Sequence, residues 1–326
     1  MYKKFEINQN DAEQRLDKFL TKSLHALPQS MLYKALRTKK IKVNRKRAEP
    51  SLRLCEGDVI ELYLPDDFLA EDAAEQSFRS LTPHVEIVYE DENLLICNKA
   101  PGVIVHSDSD EEVNTLINHI KAYLYRRGEY QPDAEHSFAP ALCNRIDRNT
   151  GGLVLAAKKA AALRFLNEKI RQDQVTKRYL CAVHGVPNPR KATLRGFLTK
   201  DATNNLVTVY REKPPRVPIA ALRTIITKYE VLAERAGNAL LSVELVTGRT
   251  HQIRAHLASV GHPLLGDGKY GVNREDKKRG YRYQALYACY LRFHWEEDAG
   301  PFQYLCGKEI RLAPEKVWFL ADFEKQ

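Results

Sequence analysis

Asp147 stands between Arg145 and Arg148. Two glycines, Gly151-Gly152, separate this charged loop from the apolar run Leu153-Val154-Leu155-Ala156-Ala157. A short unbroken apolar run reads as a buried strand. Whatever fold the chain adopts must therefore bring a charged loop straight up to a sheet interior. The glycines allow another backbone, or a ligand, to come close at that point. A carboxylate flanked by cations is expected to be ionised at neutral pH. A second block lies about a hundred residues on: Thr247-Gly248-Arg249-Thr250-His251-Gln252-Ile253-Arg254, then Gly261-His262-Pro263-Leu264-Leu265-Gly266-Asp267 and Tyr270-Gly271.

A length of 326 residues suggests about two domains. The first is a small module. Leu16, Phe19, Leu20, Leu24 and Leu27 repeat at helical spacing over about 11–27, with Asn10 or Asp11 as the expected cap and Pro28 as the stop. Ser30 is expected to cap a second helix from about Met31 to Thr38. Ile41-Lys42-Val43, Arg53-Leu54 and Val59–Leu64 read as strands, with turns at Asn44 and Gly57-Asp58. Between Met31 and Cys55 stand nine Lys or Arg against one acid, Glu49. That imbalance is too large for a surface laced with salt bridges, and it suits displacement of counterions from a phosphate backbone. The net charge of +9 agrees, although charge alone also fits an anionic membrane surface or mere solubility.

Residues 65–82 begin with Pro65 and carry Asp66, Asp67, Glu71, Asp72 and Glu75. They read as an acidic linker, with some helix around Leu69–Glu75. RNA would repel such a linker, which predicts that the first module moves freely. The second domain opens with two strands around an acidic turn, over Val85–Lys99, followed by a turn at Ala100-Pro101-Gly102. A helix is expected over 159–171, strands at Lys177–Val183 and Leu240–Leu245, and a helix with its preceding turn from Arg249 to Val260. Further strands are expected between these, and Tyr210–Pro218 reads as a basic loop. The mix of elements is α+β and sheet-rich.

The six cysteines are scattered, with no Cys-x-x-Cys pair, so they read as reduced thiols and zinc is not indicated. His251 and His256 lack the His-x-x-x-His spacing of a metal pair. No metal and no cofactor is expected. No apolar run approaches the roughly 20 residues of a membrane span, and Met1–Glu6 holds no signal-peptide core. Both observations point to the cytoplasm. Nothing demands a dimer, so a monomer is expected.

The two blocks together resemble the RluA-type family of RNA pseudouridine synthases. Arg15-Leu16-Asp17-Lys18-Phe19-Leu20, Lys40–Asn44 and Glu56–Ile60 resemble the S4 RNA-binding fold that often precedes that catalytic domain. The resemblance implies a small α/β S4 domain over 1–64, then, after the linker over 65–82, a catalytic domain over 83–326 built on a mixed, mainly antiparallel sheet with flanking helices. It implies that Asp147 is the catalytic carboxylate, acting on the sugar, on the base, or on a ribose proton. Tyr179, in Lys177-Arg178-Tyr179, would stack on a uridine taken out of its stack, its hydroxyl being a candidate for proton transfer. By the same resemblance Arg249 pairs with Asp147, while Arg145, Arg148, Asn144, Thr150 and Arg254 face RNA. His256 lies beside Arg254 as a further phosphate contact, and Gly266–Gly271 is a supporting turn. In the S4 module Lys34, Arg37, Lys39, Lys40, Arg45 and Lys46 would hold RNA. Three departures stand out: Asn144 where the family usually has His, Ile146 for Leu and Gly151 for Ser. Asn144 cannot take up a proton near neutral pH.

The expected activity is isomerisation of uridine to pseudouridine, with large-subunit (23S) ribosomal RNA preferred over transfer RNA as partner. A non-catalytic RNA-binding or ribosome-assembly protein on the same fold is the alternative, and Asn144 gives it weight. A carbohydrate hydrolase would need two opposed carboxylates, and the motifs offer none.

Overall fold

The computed structural model describes residues 2–69, 73–107 and 113–324. In the first domain, β1 (Tyr2–Glu6), β2 (Ile41–Val43), β3 (Lys46–Arg47) and β4 (Val59–Tyr63) form an antiparallel sheet in the order β1-β4-β2-β3. Helices α1 (Leu16–Ser23) and α2 (Gln29–Arg37) cover it. Leu16, Phe19 and Leu20 fall on one helical face and meet Leu32, Leu36, Ile41, Ile60 and Leu62 in a single core. Neither expected cap holds. Arg15 and Pro28 occupy the N-cap positions without a side-chain bond, because Asp11 is turned elsewhere and Pro28 alone sets the entry angle of α2. Arg53 forms only an isolated bridge with Arg15.

Two turns here run against backbone preference. Asn44 and Arg45, with φ of 49° and 63°, join β2 to β3, the two-residue geometry that matches strand twist. Lys39, at φ 61°, follows α2 in the left-handed position usually given to glycine. There Lys40 N–H donates to Ala35 O and Lys39 N–H to Leu36 O.

In the second domain β5 (Glu86–Glu90), β6 (Leu94–Lys99), α3 (Leu116–Arg126), β7 (Ala141–Leu142), β8 (Gly151–Ala157), α4 (Ala160–Arg171), β9 (Val175–His184) and β10 (Lys191–Asp201) come first. They are followed by β11 (Leu206–Tyr210), β12 (Arg223–Arg235), β13 (Asn238–Leu245), α5 (Gln252–Ser259), α6 (Arg274–Lys278), β14 (Leu286–Phe293) and β15 (Glu309–Arg311). The sheet runs β11-β10-β12-β13-β9-β14-β8-β6-β5, with β15 beside β14 and β7 beside β8. Of its pairings among the described residues, only β8 with β14 is parallel.

That pairing explains the glycines. A Cβ on Gly152, whose φ is +114°, would sit 2.2 Å from the Ala288 carbonyl oxygen, and one on Gly151 would lie 2.2 Å from the Tyr287 ring. The close neighbour is a strand, not a ligand. Leu153 and Leu155 face a core with Leu166 and Phe293, while Val154 and Ala156 face another with Ile120, Ile253 and Leu257. Burial on both faces accounts for the unbroken apolar run.

The segment 65–82 packs on both cores. Phe68 and Leu69 pack on the first core. A 3₁₀ segment, Ala73–Ser80, sets Phe78, 1% exposed, into the second. Of the acidic linker residues, Glu71 and Asp72 lie outside the described residues.

The first domain is also not loose. Asp11, fully buried, accepts hydrogen bonds from His136 N (3.1 Å), Ser137 N (2.9 Å) and the Ser137 hydroxyl (2.6 Å). The expectation of free movement overlooked this contact, because its two sides are 125 residues apart in the chain.

Candidate active site

Asp147 lies on the loop between β7 and β8. Its carbonyl accepts Thr150 N–H at 3.0 Å, which closes the turn into Gly151. Asn144 Oδ1 accepts Leu155 N–H at 2.7 Å, so this side chain ties the start of the loop to β8. Thr150 is buried, and its hydroxyl accepts from Gln284 Nε2 at 3.2 Å. Both residues brace the loop and also line the cleft beside it.

Behind the loop lies Lys99, 1% exposed. Its ammonium donates to the carbonyls of Ala100 (2.9 Å), Val103 (2.8 Å) and Arg148 (2.8 Å). Burial pushes its pKa down to about 7, and the Asp147 carboxylate opposes that. Sequence reading took Ala100-Pro101-Gly102 only as a turn. The signal it passed over was a lysine ending the apolar strand Leu94–Cys97.

The cation at Asp147 is Arg254, not Arg249. Arg254 Nη1 lies 2.9 Å from Asp147 Oδ2, while Nε and Nη2 fork onto Asp267 at 2.7 and 2.9 Å. Burial works against the Arg254 charge, but Asp267 and Asp147 outweigh it and raise its pKa. Asp267 is likewise opposed by burial, yet held down by Arg254 and by the amides of Lys269 and Tyr270. Arg249 is exposed in the turn before α5. α5 begins only at Gln252, so a residue inside its first turn reaches inward while one before it stays on the rim. Arg254, expected to face RNA, is committed to these two carboxylates. His256 is buried, with Nδ1 3.0 Å from the Thr227 hydroxyl. The turn at Gly266-Asp267 supports the site, through Asp267.

Asp147 Oδ1 has no partner among the described residues, and the side chain is 24% exposed. His251 was missed as a site residue. It adopts a left-handed backbone, φ 53°, at the entry to α5, and its Nε2 stands 4.0 Å from Asp147 Oδ2. Val207 N–H donates to the Tyr270 hydroxyl, which lies 2.8 Å from His251 Nδ1. The network that uses every donor puts the imidazole proton on Nε2, toward Asp147. Burial lowers the pKa of His251, against the pull of Asp147.

Tyr179, 6% exposed, lines the same cleft from β9. Burial, then Asp147, raises its pKa. Its hydroxyl has no hydrogen bond to the described residues. The cleft has a volume of about 960 Å³. It is lined by the cations Arg145, Arg148, Lys177, Lys200, Arg249, Arg254 and Lys269, and by one carboxylate, Asp147. Such a site attracts a polyanion and presents it with a single oxygen nucleophile or base. Among the described residues no group of His, Cys, Asp and Glu could hold a metal ion, and no helix is long and apolar enough to cross a membrane.

A family model described as RNA pseudouridylate synthase matches residues 93–259, and an S4 domain model matches residues 14–60. The ribosomal large subunit pseudouridine synthase C of Escherichia coli (strain K12) is 32% identical over 303 residues, covering 88% of this chain and 87% of that protein. The protein of the same name from Vibrio cholerae serotype O1 is 33% identical over 275 residues, covering 83% and 81%. Among solved structures, human RNA Pseudouridylate Synthase Domain Containing 4 is similar in fold. It has a TM-score of 0.55 at 20% identity and covers 74% of this chain and 94% of that one.

Proposed function

Because the chain belongs to the RNA pseudouridylate synthase family, we propose that it isomerises uridines of large-subunit ribosomal RNA to pseudouridine, with Asp147 as the catalytic carboxylate. The reaction breaks the bond from ribose C1′ to uracil N1 and joins C1′ to C5. The C5 proton leaves to solvent and N1 gains one. Neither an electron acceptor nor a group donor is required.

The observation that carries this reading is the chain Asp267–Arg254–Asp147. One guanidinium, fixed by a buried carboxylate, holds Asp147 through Oδ2 and leaves Oδ1 to the substrate. A fork onto one carboxylate with a third bond to another fixes the geometry as well as the charge. The uridine must leave its stack to reach this depth, and Tyr179 replaces the lost stacking. Arg145, Arg148 and Arg249, exposed on the cleft, take phosphates. Asn144 needs no proton-transfer role, since it anchors the loop. The S4 module contributes affinity through Lys34, Arg37, Lys39, Lys40, Arg45 and Lys46, all exposed and unpaired with any acid among the described residues. The protein acts as a monomer in the cytoplasm.

The test is tritium release from large-subunit ribosomal RNA carrying tritium at uridine C5. Wild-type protein is expected to release it, and Asp147→Asn to bind RNA and release none. Wild-type binding without release would sink the reading.

A further inference from the structure

We propose that the contact centred on Asp11 locks the S4 module and the catalytic domain into a single RNA-reading surface. A substrate is then chosen by the distance between its target uridine and the folded RNA that the S4 module grips. The proposal rests on the activity proposed above and adds the kind of substrate: structured RNA long enough to occupy both domains, not an isolated stem-loop.

The contact is polar and specific in register. Besides the three hydrogen bonds to Asp11, Asn8 Nδ2 donates to Ala134 O (2.8 Å) and Asn10 Nδ2 to Glu135 Oε1 (2.8 Å). Asn10 Oδ1 accepts Ala160 N–H (3.1 Å) at the start of α4, and Gln14 Nε2 donates to the Ser137 hydroxyl (2.7 Å). Arg164 of α4 pairs with Glu13 at 2.8 Å, and the Phe5 ring lies 4.8 Å from that of His136. An apolar interface tolerates sliding. A buried carboxylate matched to two backbone amides and a hydroxyl does not, because every other register leaves it unpaired.

The gripped segment is also continuous with the site. Ser137 is ten residues before Asp147 in the chain. Between them β7 pairs with β8, and Asn144 ties the loop to Leu155. The S4 module is thus anchored to the backbone that carries the catalytic loop.

Hydrogen exchange on the RNA-free full chain reads the contact directly. The amides of His136 and Ser137 are expected to be protected in the wild type and to lose protection in Asp11→Asn and in Ser137→Ala, while β4 stays protected in both. If they exchange freely in the wild type, the lock does not exist. Tritium release then reads the consequence, on in-vitro-transcribed large-subunit ribosomal RNA and on a short stem-loop around the uridine mapped in it. Tethering without orientation lowers the effective concentration of the second site. Asp11→Asn is therefore expected to lose about tenfold in kcat/KM, mainly through KM, on the long RNA, and nothing on the stem-loop. Equal losses, or none, on both RNAs overturn the proposal. A wild type that releases no tritium from either RNA would refute the proposed activity and leave the exchange result standing by itself.

Discussion

The molecule gathers cations at two places, around Asp147 and on the S4 module, and it builds the two in opposite ways. Around Asp147 the buried charges are over-determined. Arg254 has two carboxylates, and the Lys99 ammonium has three carbonyls. On the S4 module the cations stand exposed, two of them on left-handed backbone, Lys39 and Arg45. Chemistry on one atom needs a fixed geometry, and buried, fully paired groups supply it. Affinity for a phosphate backbone needs cations that are free to follow it, and pairing would neutralise them. The difference predicts that single substitutions among the buried, paired cations are severe and those among the exposed ones graded.

The largest effect is expected at Arg254. Arg254→Ala strands Asp267 and Asp147, and breaking a buried pair from one side costs about 3–5 kcal/mol. Tritium release should fall by more than about a hundredfold with the loss of the group that orients Asp147. Arg249→Ala should raise KM by less than about tenfold and leave kcat and thermal stability unchanged. If the two variants exchange these phenotypes, the assignment of the Asp147 partner is wrong.

His256 sharpens the contrast between buried and exposed basic groups. Burial lowers its pKa from 6.5 to about 4. The unfolded chain therefore takes up a proton that the folded one refuses. Stability present above 6.5 is lost as pH falls toward about 4, up to about 3 kcal/mol if no other group compensates. Urea unfolding of wild type and His256→Gln between these pH values should show the wild type weakening more steeply. Parallel curves would mean that His256 is already charged in the fold.

Local patterns were readable in the sequence where a residue's role depends on its neighbours. Ile41–Val43 fell in a strand because apolar residues alternate there. The helix expected over 159–171 formed as α4, Ala160–Arg171, because Leu163, Leu166 and Ile170 share a face. The loop at Asp147 and the strand of Tyr179 followed from the motifs they sit in. What could not be read was the choice among like residues for a distant partner. Arg254 meets Asp147 across 107 positions, and nothing local distinguishes it from Arg249. Asp11 looked like a helix cap, since a short acid before an apolar helix has that use. Its partners at 136 and 137 are visible only once the domains are folded together. Lys99 was passed over because a buried lysine needs three carbonyls that only the folded loop supplies.

The smallest effect is the one that tests the exposed side of the comparison most directly. Lys39 occupies the left-handed position after α2, where an L-residue costs about 1–2 kcal/mol. Glycine would relieve that, offset by about 0.5–1 kcal/mol of extra chain entropy in the unfolded state. Lys39→Gly should therefore gain about 0.5–1 kcal/mol in urea unfolding while weakening RNA binding and reducing its salt slope by about one. Asp173 holds the same position after α4, at φ 57°, with Gln174 N–H donating to Lys169 O. Asp173→Gly should gain stability without weakening RNA binding. If Lys39→Gly gains stability and binds RNA with an unchanged salt slope, Lys39 makes no phosphate contact, and the strained turn has no explanation in RNA binding. If both variants lose stability, the left-handed turns are held by their side chains and not in spite of them.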